Sequence, residues 1–63
     1  MNKTTDFRTM ANAMRKAGDI ADRIADNLED ETLDKKEKEE KQDTLLAEFM
    51  VQMMKIQKLQ NDL

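Results

Sequence analysis

A three-four alternation of apolar side chains runs without a gap through the first half of this chain. With Phe7 at position a of a heptad, Phe7, Met10, Met14, Ala17, Ala21, Ile24 and Leu28 fall on a and d. Positions b, c and f hold Arg8, Thr9, Asn12, Arg15, Lys16, Asp19, Asp22, Arg23 and Asp26, all polar. Residues spaced in this way share one stripe of an α-helix, with water on the other side. The segment is therefore built to pack on other helices. A helix from about residue 5 to about residue 29 follows, with Thr4, Thr5 and Asp6 all competent to cap its start.

Gly18 is the sole glycine, and it sits at an e position in mid-helix, where it costs roughly 1 kcal/mol against alanine. Ala13, Ala17, Ala21 and Ala25 form a small-residue stripe beside it. Such a helix centre lacks bulk, so a neighbouring helix can approach more closely than usual.

Residues 29–43 carry four lysines and eight acids, and the chain's net charge of −3 comes from this stretch. It reads as a charged connection or as an extension of a second helix. Asp34 and Glu37 have capping-box spacing, and Lys35/Glu39, Lys36/Glu40 and Glu37/Lys41 are i,i+4 pairs. The second helix is therefore expected to begin near Asp34, with its apolar part over about 44–62. There Leu45, Leu46, Phe49, Met50, Met53, Ile56 and Leu59 make an arc wider than a single partner helix needs.

A tight hairpin turning at residues 29–33 would set Ala21 against Gln42 and Leu28 against Asp34 or Lys35, which places apolar surface on charge. A register about two to three helical turns further along sets Leu28 against Gln42 to Leu45, Ile24 against Leu46 to Phe49 and Ala21 against Phe49 to Gln52. Large residues then oppose small ones. That register is met either by a long connection over 29–44 or by an antiparallel pairing between two chains.

Sixty-three residues allow one small domain, and a chain of this size buries too little surface to be secure alone. Cysteine and histidine are absent, which removes disulfides and the commonest metal ligands. Oligomerisation is the remaining reinforcement. The expected fold is all-α: an antiparallel helical hairpin of two long amphipathic helices, self-associating into a coiled-coil-like bundle, most simply a dimeric four-helix bundle. Its self-association core is expected to comprise Phe7, Met10, Met14, Ala17, Ala21, Ile24, Leu28, Leu45, Leu46, Phe49, Met53 and Ile56.

Nucleophilic triads lack their usual parts, because serine and tyrosine are missing as well, and the carboxylates lie on wet faces. The chain is expected to be no enzyme and to take no cofactor. Asp26, Asp30, Asp34 and Glu37 match positions 1, 5, 9 and 12 of a calcium loop, but Glu31 replaces the glycine its sharp turn requires.

The N-terminal residues lack the apolar core of a secretory signal, and no run is long enough to span a bilayer. The expectation is a cytoplasmic protein without membrane attachment. Methionine-rich surfaces adapt to several partners. Met50, Val51, Met54 and Leu59 are thus candidates to bind a protein partner, and the expected role is that of an adaptor, chaperone or inhibitor acting by helix-to-helix contact. In length and architecture alone, without a residue-level match, the chain also resembles Rop-like plasmid regulators, dimeric helical bundles that bind paired RNA loops. That likeness implies an alternative use of Arg8, Arg15, Lys16 and Arg23 on nucleic acid, although Asp19, Asp22 and Asp26 interrupt them.

Overall fold

Two helices account for almost all of the chain. In the computed structural model, which describes residues 3–62, α1 spans Lys3–Glu29 and α2 spans Lys35–Asp62. They pack against each other as an antiparallel hairpin, 47 Å long and 14 by 10 Å across at the level of the Cα atoms.

The connection is only residues 30–34, and its side chains hold it. The Asp30 carboxylate accepts the Thr32 backbone N–H at 2.9 Å and the Thr32 hydroxyl as well, closing an Asx turn. Asp34 caps α2, its Oδ1 accepting the Glu37 N–H at 2.8 Å. At the other side of the turn α1 has no basic residue in its last turn. The Lys38 ammonium supplies the missing cation from α2, donating to the Leu28 carbonyl at 3.0 Å. None of the described residues has a positive φ, so this turn needs no glycine.

Residues 35–43 are helical, the extension of α2 rather than a connection. The hairpin is therefore short-looped, and its register lies about one turn from the long-connection arrangement. The charge-burial objection to a short loop is met by rotating α1. Leu28 does not face α2; Asn27 does. Asn27 is 3% exposed and donates its amide to the Lys38 carbonyl at 3.1 Å and to the Gln42 side-chain oxygen at 3.0 Å. A polar layer thus occupies the charged end of the seam, where an apolar layer would have faced lysine and glutamate.

The seam runs from that layer to the open end. On α1 the seam residues are Met10, Ala13, Ala17, Ile20 and Asn27, with Asp6 and Ile24 half-buried; Ala11, off the seam, is half-buried too. On α2 they are Leu45, with Lys38, Gln42, Phe49, Gln52, Ile56 and Leu59 half-buried. Both sets alternate by three and four, as coiled-coil packing requires. The core is thin: among the described residues no side chain is completely buried.

Candidate interaction surface

The stripe read from the sequence is divided between two surfaces. Six of the twelve expected core residues, Met10, Ala17, Ile24, Leu45, Phe49 and Ile56, lie on the intrachain seam. The other six, Phe7, Met14, Ala21, Leu28, Leu46 and Met53, are exposed. Phe7 and Leu28 are each 58% exposed, against 8% for Met10 one turn away. The seam takes in the d column of α1 and the g column, Asp6, Ala13, Ile20 and Asn27. The a column is left outside.

The exposed a column has a companion. Ala11, Gly18 and Ala25 of column e stand next to it, so Phe7, Ala11, Met14, Gly18, Ala21, Ala25 and Leu28 form a second three-four ladder. It is rotated roughly 100° from the first. On α2 the matching ladder includes Leu46, Met50 and Met53, all exposed.

Both ladders face the same way. On the opposite side of the hairpin, Lys16, Asp19 and Arg23 of α1 share a groove with Glu48 of α2, and Asp26 and Asp30 share another with Lys41. One face of the hairpin is therefore charged. The remaining flank of each helix, where the two ladders lie, forms the other face. Among the described residues, six of the eight large exposed apolar side chains are on it. Gly18 lies open at its centre, with nothing within 4 Å of where a β-carbon would stand.

The four expected partner-binding residues are dispersed. Met50 lies on the apolar face. Leu59 is half-buried in the seam. Val51 and Met54 point away from α1, where they make a separate apolar hollow edged by Lys55 and Lys58. Met54, at 65%, is the most exposed large apolar residue among those described.

The four cations weighed for nucleic acid are split as well. Lys16 and Arg23 lie among acids in the charged groove. Arg8 and Arg15 stand on column b, at the rim of the apolar face, and Arg15 donates to Asn12 Oδ1 at 2.8 Å. Among the described residues, no three histidine, cysteine, aspartate or glutamate side chains come together as metal ligands. None of the described helices is long and apolar enough to cross a membrane. Asp30 has its carboxyl held below the usual value of 3.8, first by the Thr32 hydroxyl and then by the Thr32 N–H.

Sequence reasoning missed the second ladder because it sought one stripe. Columns a, d, e and g of α1 are nearly all apolar or small, an arc of roughly half the helix. That width was legible, and it calls for two neighbours where the hairpin supplies one. No family model, curated protein or solved structure matches this chain.

Proposed function

We propose that this chain is a small non-enzymatic interaction module that acts by helix-to-helix contact, first with a second copy of itself and then with a protein partner. The observation that carries the reading is the single apolar face formed by Phe7, Met14 and Leu28 of α1 with Leu46, Met50 and Met53 of α2. Monomeric proteins seldom leave large apolar side chains grouped on one face uncovered.

Surface area points the same way. A compact chain of 7.4 kDa exposes about 4,200 Å² by general scaling, whereas this hairpin exposes 5053 Å². The excess, roughly 850 Å², is close to the ~800 Å² that each partner contributes to a standard interface. Two hairpins stacked on their apolar faces make a four-helix bundle with the charged grooves outside. Such a dimer leaves the hollow of Val51 and Met54, with Lys55 and Lys58, as an adaptable surface for an amphipathic helix of another protein.

Sedimentation equilibrium tests the reading. The parent chain is expected to sediment as a dimer at micromolar concentration. Met14→Lys combined with Leu46→Lys should leave helicity intact and give a monomer. A monomeric parent at all accessible concentrations would overturn the reading.

A further inference from the structure

We infer that the second copy docks with its α1 antiparallel to α1 of the first, on a two-fold axis passing beside Gly18, so that the two hairpin loops point to opposite ends. This arrangement rests on the self-association reading above and adds the geometry that charge and register dictate.

A face-to-face stack of two hairpins closes under two-fold symmetry in two ways. An axis along the helices sets α1 of one copy on α2 of the other, with both loops at one end. An axis across the helices sets α1 on α1 and α2 on α2, each pair antiparallel.

The rim of the apolar face on α1 is column b, which reads Arg8, Arg15, Asp22 and Glu29. Two positive charges are followed by two negative charges at heptad spacing, centred at Gly18 and Asp19. In antiparallel coiled coils flanking positions of the same type meet. The crossed axis therefore brings Arg8 to Glu29 of the second copy and Arg15 to Asp22 of the second copy, and symmetry repeats both pairs. The ladder inside this rim is matched about the same centre: Phe7 lies by Leu28 of the other copy, Ala11 by Ala25, Met14 by Ala21, and Gly18 by itself. Bulk stands at the two ends and against alanine, so the helices can close at the middle.

The second helix gives the same centre independently. Its exposed run Leu46, Met50, Met53 is symmetric about Met50. Asn27 is in register with Lys38 and Gln42, and Ile20 shares a groove with Glu48 and Gln52. Gly18 is therefore level with Met50. A single crossed axis passes through both. The lengthwise axis does worse, because it sets Glu29 on Glu40 of the second copy at the loop end and leaves Arg15 facing Met54.

Charge reversal tests this with the full chain, measured by sedimentation equilibrium. Arg8→Glu with Arg15→Glu makes the rim wholly acidic, and Asp22→Arg with Glu29→Arg makes it wholly basic. Each pair is expected to weaken self-association roughly tenfold or more. The basic pair should do so although it brings the net charge near zero and suits the C-terminal end of a helix. All four changes together should restore the parent dissociation constant to within about threefold. Ala11→Cys and Ala25→Cys chains, in a protein otherwise free of cysteine, should form a disulfide when mixed and neither when alone. A dimeric parent whose quadruple variant stays as weak as the doubles, or whose doubles match the parent, overturns the geometry and leaves self-association standing. A monomeric parent overturns both.

Discussion

Asn27 Nδ2 stands 3.0 Å from Gln42 Oε1, and this side-chain contact sets the register of the two helices at the closed end of the hairpin. The same nitrogen reaches the Lys38 carbonyl, so one buried amide measures one turn of α2. A buried polar pair of this kind favours one alignment over its neighbours, because sliding by a turn strands the amide against apolar side chains. Asn27→Ala leaves the half-buried Gln42 without its donor. It should lower hairpin stability by about 1–3 kcal/mol, read from urea unfolding followed by circular dichroism at fixed protein concentration.

Asn27 Oδ1 is itself buried without a hydrogen-bond partner among the described residues, and Gln52 has the same imbalance with no donated bond beside it. Gln52 lies in the seam between Phe49 and Ile56, and its Oε1 is buried without a hydrogen-bond partner among the described residues. Replacing it with leucine removes the unpaired acceptor and joins two apolar layers. Gln52→Leu should therefore raise stability by about 1–2 kcal/mol in the same unfolding measurement. A loss of stability would mean that this oxygen is satisfied in solution.

Phe49 is the largest side chain in the seam and is half-buried there. Truncation removes its ring from between the helices while the surroundings have little freedom to close. Phe49→Ala should cost about 2–4 kcal/mol and reduce helicity at low concentration, where the chain relies on the hairpin alone. Unchanged helicity after that substitution would place the ring outside the core.

Much of this hairpin is legible in the residues. The polar columns of α1 mark a helix, Asp34 marks the start of α2, and the i,i+4 spacing of opposite charges reads as helix over residues 35–43, which are helical with little burial. Which columns of α1 face α2 is harder to read. Leu28 looks the better seam residue by transfer free energy, and Asn27 the worse. The outcome turns on a partner fifteen residues away: Asn27 can be buried because Gln42 and Lys38 meet it, whereas Leu28 at that level would meet lysine and glutamate. Local pattern shows a wide apolar arc, and pairing across the loop decides how the arc is shared. The exposed face follows from that choice.

The turn should respond to acid through Asp30. Its carboxyl titrates below the usual 3.8 because the charged form accepts both the Thr32 hydroxyl and the Thr32 N–H. A depressed folded value means that the contribution to stability is present above the unfolded pKa and is lost as the pH falls through the folded one. Carbon-detected titration by nuclear magnetic resonance should find Asp30 below 3.8, and Thr32→Ala should move it upward toward that value. The urea midpoint should decline less between pH 5 and pH 3 in Asp30→Asn than in the parent. A Thr32→Ala chain with an unmoved Asp30 titration would show that another group holds the charge.

Gly18 offers a substitution whose two effects have opposite sign. In a single hairpin it is a liability, since glycine in a helix interior costs roughly 0.5–1 kcal/mol against alanine. A β-carbon at this position would meet no atom within 4 Å, so Gly18→Ala should stabilise the isolated hairpin by that amount. Where two copies of α1 cross, the same added methyl is met by its symmetry mate and the helix axes must move apart. Spreading the crossing loosens Met14 against Ala21 and Ala11 against Ala25 on both sides of the axis, and lost packing outweighs the helix propensity gained. The variant should therefore unfold at higher urea when dilute and yet dissociate more readily, a pairing that sedimentation and circular dichroism on one sample series can resolve. Strengthening of both properties would place the closest helix crossing away from Gly18.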